Sequence, residues 1–213
     1  TVTGSRNASA VLLFGANVTF RATNVVFTQN TAANGAAIDA TGGNVTLLHS
    51  TVHGNTATGK GGGIYLGGAG AQLATHNTTI AGNVAPDGAG VAVDQGTATL
   101  RATTLALNAG AADLRGAATL HASIVGTCAG AAGSLGANAA GDPACGLGGP
   151  GDRIAPLALG ALGDHGGATP TIVPAAGSPA VDADGTCAAG PAEQRGAPRP
   201  QGAACDAGAV EVG

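Results

Sequence analysis

The sequence predicts an all-β fold, a parallel β-helix (β-solenoid) of about five rungs with an irregular disulfide-bonded C-terminal cap. An apolar column recurs at intervals near 25 residues, and glycine and asparagine turn signals recur with it. Alternation in the repeated segments is near period 2, and none of them carries a helical stretch of roughly 10 residues. Glycine contributes 39 of the 213 residues and aromatic residues only 2%, which favours closely stacked turns over a core of large side chains.

Three apolar columns define the repeat. The main column has one residue per rung: Phe27, Val52, Ile80, Leu105 and Val125. Five positions earlier stands a second column: Ala22, Leu47, Thr75, Leu100 and Leu120. The third column reads Leu12, Ile38, Ile64 and Val91. Each unit therefore contains at least two short strands, and we expect successive units to pair in parallel about 4.8 Å apart.

Asparagines recur three residues after the main column, at Asn30, Asn55, Asn83 and Asn108. Asparagine tolerates the left-handed backbone region at a tight corner, and its amide both donates and accepts hydrogen bonds. Stacked over successive rungs, these side chains are expected to bond each other as a structural ladder.

The periodicity fades after Val125, so the sequence is divided into a parallel β-helix at residues 1–126 and a capping region at residues 127–213. All four cysteines lie in the second part. The simplest of the three possible connectivities is sequential, Cys128 with Cys145 and Cys187 with Cys205, and each bridge would contribute about 3 kcal/mol. Disulfides indicate an oxidising compartment and therefore a secreted or cell-surface protein. Four buried free thiols in a cytosolic protein are the alternative.

Short motifs in both parts resemble known families. Phe27-Thr28-Gln29-Asn30 matches the F-x-x-N element of bacterial polymorphic outer-membrane proteins, and Gly61-Gly62-Gly63-Ile64 is similar to their G-G-A-[ILV] element. Residues 157–171 look like the L-x-x-L-x-[DN]-x-G-G-x-T-x-T segment of the choice-of-anchor Q family, which residues 174–182, 193–200 and 205–211 also resemble. The resemblance implies a right-handed, pectin-lyase-like parallel β-helix in a bacterial secreted or surface protein, and it implies no defined reaction.

Composition argues against several partners. The eight Lys and Arg residues are scattered, whereas nucleic-acid binding requires clustered cations, so no nucleic-acid partner is expected. No apolar run approaches the roughly 18 residues of a membrane span. No cofactor motif occurs, and none is expected.

An enzyme is the main competing interpretation, because folds of this kind include polysaccharide lyases and glycoside hydrolases. A lyase needs a base and a cation beside a uronate, and a hydrolase needs paired carboxylates. The helical part offers a few candidates: Lys60, Asp39, Asp87, Asp94 and Asp113. Asp39 and Asp94 occupy near-matching positions, but the rung that carries Tyr65 lies between them. Since no convergent pair follows, we expect no catalytic residues.

Ligand contact is expected elsewhere. His76, Arg101 and His121 each precede the main column by four residues, so they should stack into a cationic stripe suited to an anionic glycan. Tyr65 is the candidate aromatic platform for a sugar. These four residues are the predicted ligand-binding set, in a non-catalytic scaffold for adhesion, glycan contact or self-assembly.

Three further possibilities remain open. Thr51, Thr79 and Thr104 align in a column, and an exposed threonine array would favour an ice-binding solenoid. Asp182-Ala183-Asp184-Gly185 resembles the opening of a calcium loop but lacks its later oxygen ligands, so no metal is expected and hydrogen bonding within the cap is favoured. Thr1-Val2-Thr3 is an open strand that could pair with another copy of the chain.

Overall fold

The computed structural model describes residues 1–187 and 190–213, and short strands make up most of its regular structure. In chain order the strands are β1 Val2–Thr3, β2 Val11–Leu13, β3 Thr19–Thr23, β4 Val26–Thr28, β5 Thr31–Ala32, β6 Ile38–Ala40, β7 Gly43–Leu48, β8 Thr51–His53, β9 Thr56–Ala57 and β10 Ile64–Leu66. They continue as β11 Ala71–Ala81, β12 Val91–Val93, β13 Thr97–Leu105, β14 Leu114–Arg115, β15 Ala118–His121, β16 Ile124–Val125, β17 Cys128–Ala129, β18 Gly133–Ser134, β19 Ala139–Ala140 and β20 Arg153–Ile154. A 3-10 turn, Pro143–Cys145, lies between β19 and β20.

The strands form a parallel β-solenoid, as the sequence predicts. One turn of the coil gives β7 and β8 to a 12-stranded first sheet, β9 to a two-stranded pair and β10 to a six-stranded second sheet. Each strand then pairs in parallel with its counterpart in the next turn, for example β6 with β10 and β10 with β12. The prediction of an all-β coil of about five turns is confirmed, while its right-handedness stays a prediction.

The main column is confirmed residue by residue. Phe27 pairs with Val52, and the register continues through Ile80 and Leu105 to Val125. All five side chains are fully buried, so they form the centre of the core.

The third column is wrong at its first member. Val11, not Leu12, pairs with Ile38, and Leu12 points outward with 48% of its surface exposed. Three consecutive apolar residues, Val11-Leu12-Leu13, leave the phase of a period-2 pattern undefined. Leu13 is buried, and its burial on the same side as Val11 decides the phase.

The parallel pairing extends past residue 126. Val125 pairs with Ala140, and Ala140 pairs with Ile154, so the rung shortens from 25 residues between Phe27 and Val52 to 14 between Ala140 and Ile154. Cys128 continues the inward column of the second sheet after Leu114. The predicted division of the chain at residue 126 is therefore not marked by a break in the strand ladder.

Both predicted disulfides are present. Cys128–Cys145 joins the core of the coil, where both half-cystines are buried among its apolar side chains. Cys187–Cys205 lies in the irregular C-terminal part and closes a separation of 18 residues.

The asparagines form a continuous hydrogen-bonded ladder at one corner of the coil. Asn30 donates from its backbone N and from Nδ2 to Asn55 Oδ1, at 3.1 and 2.9 Å. Asn55 repeats both bonds to Asn83, and Asn83 repeats them to Asn108. Each Nδ2 also donates to a backbone carbonyl, as Asn55 does to Phe27 O at 3.0 Å. The side chains thus satisfy a corner that has no strand pairing of its own.

A carboxylate ends this ladder. Asp113 Oδ1 accepts the backbone N and Nδ2 of Asn108, both at 2.8 Å. Its Oδ2 accepts the backbone N and Oγ1 of Thr127, both at 2.9 Å. Because every bond in the ladder points the same way, the last position needs acceptors only, and a carboxylate supplies them. Asp113 is therefore a structural residue.

A second corner, which lies just before the main column where the asparagine corner lies just after it, ends in the same way. Ser123 Oγ accepts the backbone N of Thr103 at 3.1 Å, and Asn138 Oδ1 accepts the backbone N of Ser123 at 3.0 Å. Asp152 Oδ1 then accepts both the backbone N and Nδ2 of Asn138 at 2.9 Å.

Each ladder residue follows a residue with a left-handed backbone. At the asparagine corner these are Gln29, Gly54, Gly82 and Leu107, with φ between 57° and 63°. Glycine adopts this region without a Cβ clash, whereas a leucine there is strained. Leu107 is also 55% exposed, so burial of its side chain does little to offset that strain.

The C-terminal part lies along the side of the coil. Thr51 Oγ1 donates to Pro170 O at 2.6 Å, Thr79 Oγ1 donates to Gln194 Oε1 at 2.7 Å, and Ala209 N donates to Thr104 Oγ1 at 3.0 Å. Gly208 approaches the sheet so closely that a Cβ there would lie 2.6 Å from Ile124 Cδ1. The cap therefore covers the outer side of the first sheet near its main column.

Buried polar groups hold this cap together. Asp206 Oδ1 accepts Asp182 N at 2.8 Å, and Arg195 Nε donates to Glu193 Oε2 at 3.0 Å. The Asp182 side chain accepts Ala204 N at 2.7 Å, so Asp182, Arg195 and Asp206 all form hydrogen bonds within the cap. Arg199 forms a buried ion pair with Glu211. Burial raises the pKa of the Glu211 carboxyl and lowers that of the Arg199 guanidinium.

Replacing Asn55 with Ala tests the ladder. The change leaves the two Asn30 donors without their acceptor and Phe27 O without its donor, inside the core. We expect a loss of about 3 kcal/mol in the free energy of unfolding, measured by urea denaturation. Asn44→Ala, on an exposed outward position of β7, should stay within about 0.5 kcal/mol. Equal losses in both variants would show that the ladder contributes nothing specific.

Replacing Leu107 with Gly tests the corner strain. A left-handed backbone costs a non-glycine residue about 1–2 kcal/mol, and a change to glycine relieves that cost. Glycine also increases the conformational entropy of the unfolded chain, which offsets part of the relief. The variant should therefore be more stable by about 0.5–1 kcal/mol in the same denaturation assay. Leu135→Gly is the matched control: Leu135 is 62% exposed, and it does not belong to the residues with positive φ. That variant should lose stability, and a gain there would contradict the strain argument.

Candidate functional site

The structure aligns the predicted cationic stripe. His76 pairs in register with Arg101, and Arg101 pairs with His121, on the outward side of the first sheet. Arg101 is exposed, whereas His76 and His121 are half-buried. The ring of His49 lies 6.5 Å from that of His76, and Gly190 of the cap lies beside His76. These side chains thus line the border between the open part of the first sheet and the cap.

Tyr65 lies apart from this stripe, on the outward side of the second sheet. It pairs in register with Asp39 on one side and Ala92 on the other. Its ring leans over Gly67, where a Cβ would lie 2.6 Å from Tyr65 Cε1. The hydroxyl donates to Asp94 Oδ2 at 2.7 Å. The predicted ligand set is therefore divided between two faces of the coil.

Asp94 is the centre of an ion-pair network around Tyr65. Lys60 Nζ lies 2.9 Å from Asp94 Oδ2, and Arg115 pairs with the same carboxylate. Arg115 Nε also lies 2.8 Å from Asp87 Oδ2. The hydrogen bond from Lys60, with further bonds from Tyr65 and Arg115, lowers the pKa of Asp94 to about 2. The carboxylate stays charged down to low pH, and its stabilising contribution is complete above the ordinary pKa of about 4 and is lost as pH falls from there to about 2.

Asp39 has a different environment on the same face. Burial raises the pKa of its carboxyl, and its Oδ1 has no hydrogen-bond partner among the described residues. Asp39 and Asp94 therefore differ in their proton affinity. Asp94 is held by two cations and a hydroxyl, which oppose its use as a base. Among the residues that the structure describes, no group of three or more His, Cys, Asp or Glu side chains is placed to hold a metal ion.

The threonine column expected for ice contact is covered. Thr51, Thr79 and Thr104 are fully buried, because the cap hydrogen-bonds to each of them. A flat hydroxyl array at these positions is thus not available to a surface. The bonds also give these threonines a reason to recur that is unrelated to a ligand.

Several important residues were missed from the sequence. Arg115 stands one rung after Ala92 in the outward column of Tyr65, so the repeat interval itself could have placed it beside the site. Gln194 is buried and donates through Nε2 to Thr51 Oγ1 at 2.9 Å and Thr169 Oγ1 at 2.8 Å. It lies in an irregular segment, where no pattern predicts such a contact.

Comparison with known families supports the repeat. A family model described as the Chlamydia polymorphic membrane protein repeat matches residues 24–41 and 49–67. The matched segments contain both the Phe27-to-Asn30 and the Gly61-to-Ile64 motifs. The chain contains repeats similar to those of polymorphic membrane proteins. The resemblance to the choice-of-anchor Q family and to the pectin-lyase-like fold stays a prediction.

The other comparisons gave no assignment. No curated protein and no solved structure matches the chain significantly. Within the described part of the chain, no helix has the length and apolarity needed to cross a membrane. The edge strand β1 lies at one end of the first sheet, and its pairing with another copy through Thr1–Thr3 stays a prediction.

The network around Asp94 can be tested by the titration of Tyr65. Burial, followed by the hydrogen bond to Asp94, raises the pKa of Tyr65 to about 12. The chain has one tyrosine and no tryptophan, so the ultraviolet absorbance of tyrosinate reports this residue alone. In Asp94→Asn the midpoint should fall but stay above the ordinary value of about 10, because burial remains.

Asp142→Asn is the control, since Asp142 caps the N-terminus of the 3-10 turn and accepts from Ala144 N, away from this network. Its tyrosine midpoint should match that of the unaltered protein. A midpoint near 10 in the unaltered protein would contradict the network, and rapid pH jumps avoid confusion with alkaline unfolding.

Proposed function

We propose that this protein is a non-catalytic, extracellular or cell-surface β-solenoid scaffold that presents a rigid sheet face to glycans. The observation that carries the proposal is the combination of repeats similar to those of polymorphic membrane proteins with two disulfides. Such repeats fit a surface-associated scaffold. Disulfides persist in oxidising environments outside the cytosol.

The architecture supports a scaffold because its polar residues stabilise the coil. The asparagine ladder and Asp113 satisfy one corner, and Ser123, Asn138 and Asp152 satisfy the other. Parallel rungs held in this way give a stiff, elongated body with flat faces. A flat, rigid face is suited to contact with an extended polymer.

The competing function is a polysaccharide lyase or hydrolase that uses Asp39 and Asp94. Its support is the opposite displacement of their pKa values, since catalytic carboxylates are often separated in this way. The pairing of Asp94 with Lys60 and Arg115 argues against this function, because the two cations already stabilise the charged carboxylate when no substrate is bound. We therefore favour binding without turnover.

A glycan array, combined with turnover assays on uronate and neutral polymers, tests the proposal. We expect retention on glycans without new reducing ends or unsaturated uronate products. Asp39→Asn and Asp94→Asn should leave this result unchanged. Products formed by the unaltered protein and lost in both variants would overturn the non-catalytic proposal in favour of the enzyme.

A further inference from the structure

We infer that the outward face of β3, β7, β11, β13 and β15 binds a linear anionic polysaccharide. This inference rests on the proposed function and names its surface and its ligand class. The face consists of the outward alternate residues from Thr19 in β3 to His121 in β15, and we call it the acid-free face.

The acid-free face contains no carboxylate. None of its five strands includes Asp or Glu, although the chain has 12 acidic residues against eight Lys and Arg. The outward side of the second sheet differs sharply, since Asp39, Asp87 and Asp94 are grouped there. An anionic ligand would therefore meet carboxylates on the second sheet but none on these five strands.

The two arginines of this face are available to a ligand. Arg21 and Arg101 are both exposed, and in the described part of the chain neither takes part in an ion pair. His76 and His121 adjoin Arg101 in register at the edge of the cap. An anion bound to Arg21 or Arg101 would meet a cation without displacing a paired carboxylate in the described part of the chain.

The shape of the face favours a linear polymer over a small molecule. Five parallel strands about 4.8 Å apart extend over about 19 Å along the coil. Arg21 and Arg101 are three strands apart, about 14 Å along the coil, and they are offset by two residues along the strand direction. Exposed hydroxyl and amide groups share the face with them, including Thr99, Asn44 and Gln72. Such groups both donate to and accept from sugar hydroxyls.

The sparse charge favours an acidic polysaccharide over a nucleic acid. Duplex or single-stranded nucleic acids require closely spaced cations, and single strands also require exposed aromatic rings for stacking. The one aromatic residue in these five strands, Phe20, pairs with the buried Val45 on the inward side. Each of the two guanidiniums can contact a separate carboxylate of one extended acidic chain.

The test measures binding of the full chain to immobilised polygalacturonate by biolayer interferometry. Thr99→Asp places a carboxylate in the centre of the face, and Thr56→Asp makes the same change at an exposed strand position on β9. Thr99→Asp should weaken binding by about fivefold or more, and Thr56→Asp by less than about twofold. Circular dichroism and thermal midpoints verify that both variants are folded.

Two further comparisons sharpen the result. Arg101→Ser should weaken binding by about threefold or more, whereas Arg6→Ser, an exposed arginine outside the strands, should not. Binding should also fall as salt rises, because exposed charges are screened.

Equal effects of Thr99→Asp and Thr56→Asp, tighter binding to oligo-dT than to polygalacturonate, or equal binding to neutral dextran would overturn the inference. So would a loss of binding in Tyr65→Ala without a loss in Thr99→Asp, which would place the ligand on the second sheet. Absence of any polygalacturonate binding would overturn the inference and leave the non-catalytic scaffold intact, because the turnover assays decide that proposal separately.

Discussion

The asparagine ladder is the interaction on which the rest of this coil depends. At each corner the chain turns away from its strand, so backbone groups there lose their sheet partners. The amide of Asn55 replaces those partners: it accepts two bonds from Asn30 and donates to Asn83 and to Phe27 O. Because the bonds all point in one direction, the stack must end in a group that only accepts. Asp113 and Asp152 meet that requirement at the two corners.

The cap determines which surfaces remain for function. It docks on Thr51, Thr79 and Thr104, and this removes one half of the first sheet from solvent. The docking is secured by buried polar groups, among them Gln194 and the Arg199–Glu211 pair. The other half of the first sheet and the second sheet stay open, and so does the side around β5 and β9, where Thr31 and Thr56 are exposed. The cap therefore lies along the side of the solenoid, and its position determines which sheet surfaces stay exposed.

Sequence periodicity predicted what repeats and missed what does not. The main column recurs in five rungs and the asparagine ladder in four, so the sequence pattern alone predicts their register. Leu12 was misplaced because its neighbours Val11 and Leu13 are apolar as well, and a run of apolar residues carries no phase. Burial of the threonine column and the contacts of Gln194 depend on how an irregular segment docks. Contacts between outward side chains are also hard to predict, because the Tyr65–Asp94–Arg115 network is polar and does not follow the hydrophobic pattern.

The open half of the first sheet and the second sheet differ in what a ligand would encounter. On the second sheet the cations Lys60 and Arg115 are already paired with Asp94 and Asp87, so an incoming anion would have to compete with carboxylates that are fixed in place. Arg21 and Arg101 carry no such pairing within the described residues. An anion reaching them gives up its hydration but separates no existing ion pair. The acid-free face therefore suits an anionic polymer because its two arginines have no carboxylate partner among the described residues, and not because its cations are numerous.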